Sequence, residues 1–140
     1  MSDIRERARI ALVTKVEQLR LTFTPYPLVV EFANGAVVNT AQQSQPYLKA
    51  GLRYQDGAQI ELATNPGHRI MGTIVLEAWV KQGTGTRQAN ELLAHFYPAI
   101  QMRDTLPPLR TAAARFAPAP LRDGWLAEAA LIPFWMDSFA

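Results

Sequence analysis

Hydrophobic and polar positions alternate most clearly in the middle of the chain. Every second position of Ile70–Val80 is apolar or small, whereas Glu77 lies between two of them. A period of two is that of a β-strand, so the pattern predicts a central strand with one strongly apolar face. The whole strand, Arg69–Lys81, would be 13 residues long, against about five or six for a usual strand. We therefore expect Gly72 to mark a bend or bulge, or the tip of the strand to project from the domain.

Two other segments repeat their apolar residues every three or four positions, which is the period of a helix. The first helix has Ser2 as its N-cap, and its apolar stripe is Ile4, Ala8, Leu12, Val16 and Leu19. The second helix is capped by Thr84 or Thr86, and its stripe is Ala89, Leu92, Leu93, Phe96 and Ile100. Pro98 should end or kink the second helix, because proline has no N–H and its ring clashes with the preceding turn. Both stripes can cover the apolar face of the central strand.

The region between the first helix and the central strand is predicted to be strands and loops. Leu28–Phe32 is typical of a short strand, and Asn34-Gly35 suits a type I′ hairpin turn. That turn would pair Ala36–Asn39 back onto the strand, and a loop is the alternative. Thr40–Pro46 is rich in glutamine and has no apolar period. We therefore expect Thr40–Pro46 to be an exposed loop or mobile arm. From Tyr47 to Thr64 the chain is predicted to be extended again, with an interruption at Asp56-Gly57. Amide exchange is expected to be fast over the arm Thr40–Tyr54.

Two hairpins complete the predicted sheet. The first pairs Ala58–Thr64 with Arg69–Lys81 through the turn signal Asn65-Pro66-Gly67. The second pairs Leu109–Ala117 with Trp125–Met136 around a loop at Pro118–Gly124. Pro133 has no N–H for a ladder, so we expect it at an edge or with its nitrogen directed away from the ladder.

These elements predict an α+β fold: a mixed or antiparallel β-sheet with long hairpins, flanked by two α-helices. The 140 residues suit a single domain over residues 1–140. The absence of cysteine excludes disulfides, thiolate catalysis and cysteine-ligated zinc. The longest apolar run, Ala129–Met136, is too short to cross a bilayer, and the charged first residues do not match a signal peptide. We expect neither membrane insertion nor export.

Several polar residues invite comparison with known chemical sites. Two carboxylates and a lysine on adjacent strands suggest a metal-dependent nuclease, with the candidates Asp56, Glu61, Glu77 and Lys81. That class needs its lysine two positions after the acid, where this chain has Trp79. His68 and His95 have no third ligand at metal-site spacing, so both are expected to be surface histidines. Gly83-Thr84-Gly85 lacks the lysine of a phosphate-binding loop. We therefore expect no catalytic site, no metal and no cofactor.

The charge pattern gives no sign of nucleic-acid recognition. Fourteen basic residues are scattered among twelve acidic ones, and the formal net charge is +2. A nucleic-acid-binding domain usually concentrates its basic residues on one surface. We expect no sequence-specific nucleic acid among the partners. Trp79, Trp125 and Trp135 are expected in the core or at an interface.

The order of elements and four local features resemble a known family. The features are the opening helix, the extended Leu28–Phe32 before the glutamine-rich loop, the central strand with the helix ending in Phe96-Tyr97-Pro98, and the closing segment Gly124-Trp125 to Ile132-Pro133-Phe134. With them the chain resembles the tail terminator proteins of long non-contractile-tailed phages, the lambda-type family. The resemblance covers nearly the whole chain but is one of pattern, and the segment from Gln42–Gln45 to Tyr54 departs from it.

The resemblance implies a structural virion protein without an active site. It implies a hexameric ring that ends tail-tube polymerisation and provides the surface for head-tail joining. The partners would be further copies of the chain, the tail-tube protein and the head-tail connector protein. The location would be the virion tail, assembled in the bacterial host cytoplasm. We expect the isolated chain to be a monomer, because polar association surfaces give modest affinity.

The interface candidates follow from residue type and from position in or beside predicted loops. They are Arg53, Tyr54, Arg115 and Arg122, since arginine and tyrosine are favoured in interface cores. Two alternatives remain open at this point. The chain is either another phage neck or minor tail protein of similar fold, or a small ligand-binding or enzymatic α+β domain. A deep apolar pocket with converging polar groups would favour the last.

Overall fold

The computed structural model describes residues 4–32, 38, 43–55, 58–59, 67–83, 86–102, 108–122 and 124–139. These residues form two helices and a seven-stranded sheet. The helices are α1 (Ile4–Leu21) and α2 (Arg87–Ile100). The strands are β1 (Val30–Phe32), β2 (Tyr47–Tyr54), β3 (Ala58–Gln59), β4 (Gly67–Lys81), β5 (Arg110–Thr111), β6 (Arg115–Arg122) and β7 (Trp125–Phe139).

The sheet is mixed and mainly antiparallel, which confirms the predicted α+β fold class. Its strand order is β1-β2-β4-β7, after which β5 and β6 both pair with β7, and β3 pairs with β4. The single parallel pair among the described strands is β1 with β2. The two 15-residue strands β4 and β7 pair along their whole length, from Gly67 opposite Phe139 to Lys81 opposite Trp125. This long ribbon is the centre of the fold.

Both helices pack on the same face of the ribbon. Their buried residues join the even-numbered residues of β4 and β7 in one apolar cluster. Ile74, Leu76 and Phe96 in this cluster are fully buried. The face predicted from the period-two pattern is therefore the buried one. Ala8, Leu12 and Val16 of α1 are also buried, as the predicted stripe requires.

A histidine joins the two helices where α1 ends. His95 Nε2 lies 2.7 Å from the carbonyl oxygen of Leu19 and 2.9 Å from the hydroxyl of Thr22. Since a carbonyl only accepts, the Nε2–H tautomer fits this contact. The ring also packs edge-on against Phe23, with 5.2 Å between ring centroids. His95 is thus a half-buried link between helices, unlike the surface histidine that the sequence predicted.

Two predicted loops are largely strand. Tyr47–Tyr54, assigned to a mobile arm, is β2 and lies between β1 and β4 within the sheet. Most of the predicted loop Pro118–Gly124 belongs to β6, which runs to Arg122 with a register shift after Ala119. The loop prediction was wrong over Pro118–Arg122, where prolines suggested a loop but the segment pairs with the adjacent β7. The arm prediction was wrong over Tyr47–Tyr54, where the extended conformation that the sequence also predicted is the one observed. The described part of Thr40–Pro46, residues 43–46, has no regular structure.

Gly72 does not mark a bulge. The pairing of β4 with β2 and with β7 continues through Gly72 without a register shift. A Cβ built on Gly72 would lie 2.7 Å from the Phe134 ring and would collide with the carbonyl oxygen of Arg53. The glycine is required because the aromatic ring lies directly against the backbone of β4.

Two prolines adopt positions that the sequence predicted only in part. Pro98 does not end α2, which continues to Ile100. Pro133 lies in β7 between the residues paired with β5 and those paired with β6. Its carbonyl accepts a hydrogen bond of 2.9 Å from the Ala112 N–H. The nitrogen and carbonyl of one residue point to the same side of an antiparallel strand. The missing N–H of Pro133 therefore faces the gap between β5 and β6, and the pairing of β7 with β4 is kept.

The two predicted hairpins are described in part. Ala58 and Gln59 pair with Arg69 and His68, as the first hairpin requires, and residues 60–66 lie outside the described residues. The possible hairpin at Asn34-Gly35 also lies outside them. The second hairpin forms between β6 and β7, while Arg110–Thr111 makes a separate short pairing with β7.

Candidate interaction surface on the open face of the sheet

The odd-numbered residues of β4 and β7 form the face of the sheet opposite the helices. Directly paired residues share a face, so the register extends this surface into the neighbouring strands. One row across the sheet is Gly51, Val75, Leu131 and Arg115. We call this surface the open face, since both described helices pack on the other side.

The centre of the open face is apolar and only partly shielded from solvent. Its residues are Met71, Val75, Leu131, Pro133 and Trp135. Met71 is 39% exposed, and the other four are half-buried. On the helix side of the same strands, Ile74 and Ile132 are fully buried.

Three exposed arginines surround this apolar centre. Arg53 lies opposite Thr73 on β2, Arg115 opposite Leu131 on β6, and Arg110 opposite Trp135 on β5. Arg53 and Arg115 are three strand spacings apart, which is about 14 Å at about 4.8 Å per spacing. The guanidinium groups therefore stand on both sides of the apolar patch rather than in one cluster.

The remaining charges of the open face are mostly paired. Arg69 Nε donates to Asp137 Oδ1 at 2.9 Å, and Nη2 approaches Oδ2 at 3.4 Å. The hydrogen bond and charge of Asp137 raise the pKa of Arg69 above its usual value. Lys49 Nζ lies 3.4 Å from the carboxylate of Glu31, which also accepts a 2.8 Å hydrogen bond from the Val38 N–H. Glu77 and Lys81 also lie on this face, so the three exposed arginines supply its excess of positive charge.

An aromatic cluster closes one end of the open face. Tyr47 stacks on Trp79 with 6.3 Å between ring centroids and 9° between planes. Trp125 meets Tyr47 edge-on at 5.3 Å, and Ala127 completes the cluster. All four residues are buried. Trp79 and Trp125 therefore occupy a second small core, as expected, whereas Trp135 is half-exposed in the apolar centre.

The four interface candidates are not on one surface. Arg53 and Arg115 are on the open face, although Arg53 belongs to a strand rather than a loop. Tyr54 lies on the helix side, where its ring meets Phe134 edge-on at 5.7 Å and its hydroxyl donates to the Arg5 carbonyl at 3.4 Å. Arg122 ends β6, and its backbone pairs with Trp125. Of the candidates with described side chains, Arg53 and Arg115 therefore share the open face and Tyr54 does not.

Sequence reasoning did not assign four residues to this surface, although Trp135 was expected in the core or at an interface. Met71, Arg69 and Trp135 occupy the odd positions of β4 and β7, and Arg110 pairs with Trp135. The period of two did contain a signal for the first three, because residues that alternate with a buried face must share the opposite one. No local signal placed Arg110 beside them.

The helix side holds a shallow groove of about 590 Å³ beside α2. Tyr26, Glu91 and His95 are among its lining residues. Burial, with a smaller contribution from the charge of Glu91, raises the pKa of Tyr26 to about 12. Glu91 is itself paired with Arg87 at 2.9 Å, and His95 Nε2 is used by the contact between helices. The carboxylate of Glu91 and the imidazole of His95 are therefore already engaged within the chain.

The described residues hold no metal-binding cluster. No group of three or more histidine and acidic side chains is arranged to hold a metal ion there. Asp56 and Glu61, two of the nuclease candidates, lie outside the described residues. Neither α1 nor α2, the helices of the described part, combines the length and apolarity needed to cross a membrane.

Comparisons with known proteins bear on the fold alone. No family model and no curated protein matches the chain. One solved structure superposes with a TM-score of 0.70 at 16% sequence identity, and the match covers 100% of this chain and 98% of that chain. Similarity at this level of identity shows a shared fold over the whole length, without information on activity or partners.

Proposed function

We propose that this chain is a structural protein of phage tail assembly, a terminator that forms a hexameric ring at the end of the tail tube. In this role it stops tube polymerisation and presents a surface to the head-tail connector. The assignment to the tail rests on the pattern resemblance of the sequence. The assignment to assembly rests on the composition and exposure of the open face.

The open face has the residue types that protein interfaces favour. Interface cores are enriched in arginine, methionine and aromatic residues and depleted in lysine and acidic residues. Arg53, Met71, Arg115 and Trp135 match this composition, and they lie on one sheet face without a described helix over it. Burying Val75 and Leu131 against a partner would remove their remaining apolar surface from water, which stabilises a complex by about 25 cal/mol per Å².

Ring formation places a geometric requirement on this surface. A closed ring of identical chains uses a heterologous interface, in which one patch of each copy contacts a different patch of the next. Burying an interface gains free energy, but part of it is offset by lost translational freedom and by the ordering of side chains. Only the remainder appears as affinity. A patch that is half apolar and rimmed by arginines therefore suits association that is weak in solution and strong on a six-fold template.

The decisive experiment is polymerisation of purified tail-tube protein from the same phage. Adding this chain should stop tube growth, and a ring of six copies should remain on the tube end in electron micrographs. The isolated chain should sediment as a monomer at micromolar concentration. Tubes that grow to their usual length with the chain bound elsewhere would favour a neck or minor tail protein, and absence of any binding to tube or connector would refute tail assembly.

A matched pair of variants relates this result to the open face. Val75→Asp places a charge in the apolar centre and should abolish termination while the chain stays folded. Gln88→Asp places the same charge at an exposed position of α2 and should leave termination intact. Equal activity of both variants in the tube assay would exclude the open face as an assembly surface.

A further inference from the structure

One aromatic side chain of the described part is mostly exposed to solvent. Phe116 is 56% exposed, and no other aromatic residue of that part is among the exposed large hydrophobic residues. It lies on the helix side of the sheet, because it pairs with Ala130, which is fully buried. Its ring meets the Tyr97 ring of α2 edge-on, with 5.0 Å between ring centroids. This contact restricts the Phe116 ring, so less side-chain entropy is lost when a partner covers it.

Phe116 belongs to a larger patch on the helix side of the β6–β7 edge. We call this patch the edge patch, and its residues are Phe116, Tyr97, Leu126 and Glu128. Glu128 lies opposite Pro118 and is therefore a diagonal neighbour of Phe116 across the two strands, a separation of about 7–8 Å. Leu126 lies two positions before Glu128 on the same side and is 37% exposed. The edge patch thus presents an exposed aromatic ring beside a carboxylate.

The open face has a cavity of about 200 Å³ near the same edge of the sheet. Met71, Pro133 and Trp135 are among its lining residues, and Arg115 lines it as well. We call it the Trp135 cavity. Within the described part, neither Arg115 nor Glu128 forms an ion pair. The Trp135 cavity therefore combines an apolar, partly aromatic wall with a guanidinium group.

The edge patch and the Trp135 cavity have complementary chemistry. A phenylalanine ring placed in the cavity would leave water and pack against the tryptophan ring, and aromatic pairs gain stability beyond the area they bury. The neighbouring carboxylate would then lie beside the guanidinium group of Arg115. An ion pair between arginine and a carboxylate is stronger when the solvent is partly excluded than on a fully solvated surface. Buried aromatic residues and arginines are also the residues that contribute most to binding at protein interfaces.

We propose that Phe116 of one copy inserts into the Trp135 cavity of the next copy, with Glu128 against Arg115. This inference rests on the ring proposed above and identifies its heterologous interface. The edge patch and the cavity lie on opposite faces of the sheet, so a copy that covers the edge patch of its neighbour cannot also reach that neighbour's cavity. Two copies therefore cannot satisfy each other, and the contacts continue from copy to copy until a ring closes.

Removal of the exposed ring is the first test. Phe116→Ser should abolish ring formation on tail tubes. Ile10→Ser is the matched control, because Ile10 of α1 is 50% exposed, and it should form rings as wild type does. Circular dichroism should show native folding for both variants, since both side chains are largely exposed. Normal rings in the folded Phe116→Ser variant would overturn the proposal.

A charge exchange tests the pairing of Glu128 with Arg115. Glu128→Arg and Arg115→Glu should each reduce ring formation strongly, because each opposes like charges at every contact. A mixture of the two variants should recover rings of alternating copies, and the chain with both changes should also form rings. Arg7→Glu reverses an exposed charge of α1 and should have no effect. Normal rings in either single variant, or no recovery in the mixture and in the double variant, would refute the pairing.

Disulfide trapping gives a readout that does not depend on tail tubes. The chain has no cysteine, so Phe116→Cys with Met71→Cys adds the only two thiols. The two positions lie on opposite faces and on the two strands that flank β7. Two strand spacings are about 10 Å, whereas a disulfide needs Cα atoms within about 7 Å. A disulfide within one chain is therefore excluded.

Mild oxidation of the concentrated double variant should yield a ladder of linked copies up to a closed hexamer. Each single-cysteine variant should stop at the dimer. If the double variant also stopped at a dimer, whether joined by one disulfide or by two, the copies would not associate head to tail through this contact and the proposal would be overturned.

The two proposals fail in different ways. If wild-type chain terminates tubes as a hexamer and Phe116→Ser does so too, the interface is wrong and the function remains. If the disulfide ladder forms but wild-type chain does not bind tail tubes, the chain forms head-to-tail assemblies through this contact and the tail function is wrong.

Discussion

The two faces of the β4–β7 ribbon have the same backbone and opposite surroundings. On the helix side, Leu76 and Ile132 are fully buried beneath α1 and α2. On the open face, the neighbouring Val75 and Leu131 keep part of their surface exposed. Successive residues of a strand point to opposite faces, so one of two adjacent positions lies in the core and the other on a partly exposed surface.

Ionisable groups show the same difference. On the helix side, burial favours the neutral form of Tyr26 and raises its pKa. On the open face, the hydrogen bond from Arg69 to Asp137 favours the charged form of the guanidinium and also raises its pKa. The same direction of shift thus has opposite causes. The helix side excludes water from the Tyr26 ring, and the open face keeps the Arg69 guanidinium charged beside Asp137.

The largest expected effect is a difference in unfolding free energy between variants at two adjacent positions of β4, one on each face. Leu76→Asp places an unpaired charge in the core and should cost about 4 kcal/mol or more of unfolding free energy, enough to unfold a marginally stable domain. Glu77→Ala should change it by less than about 0.5 kcal/mol, because Glu77 lies on the open face. Urea unfolding of both variants measures the difference. Equal shifts would mean that the faces are assigned in reverse.

The next effect concerns the contact between the backbone of β4 and an aromatic ring. Gly72→Ala should lower the unfolding free energy by about 1–3 kcal/mol, because its new methyl group overlaps the Phe134 ring and the Arg53 carbonyl. Thr73→Ala, one position along on the open face, serves as the control and should cost less. If Gly72→Ala were as stable as wild type in thermal unfolding, the close packing of Phe134 on the strand would be wrong.

The smallest expected effect is the pH dependence of the stability that Tyr26 contributes on the helix side. Tyr26 should ionise near pH 12, later than an ordinary tyrosine, and Glu91→Gln should lower this pKa slightly. Because the folded pKa lies above the unfolded value of about 10, the stability from neutral Tyr26 is complete below about pH 10 and is lost as the pH rises towards 12. Phenolate absorbance during a pH titration, with Tyr26→Phe to identify the signal, measures it. A tyrosine signal for Tyr26 near pH 10 would indicate an exposed side chain.

Local periodicity in the sequence by itself determined much of this protein. The three-to-four-residue stripes located α1 and α2, and alternation identified the buried face of β4. These features depend on neighbours within a few residues, so a sequence contains them directly. The bulge considered at Gly72 is absent, because the reason for this glycine lies in Phe134, 62 positions away.

Only the tertiary structure decided which residues share the open face. β2 was assigned in part to a mobile arm because its own sequence has no strong period, and its strand character comes from pairing with β1 and β4. Arg53 and Arg115 are 62 positions apart in sequence, and only the register across four strands places them on either side of one apolar patch. The sequence contained the arginines and the alternation, but long-range strand pairing joined them into a surface, because hydrogen bonds between strands carry no local sequence signal.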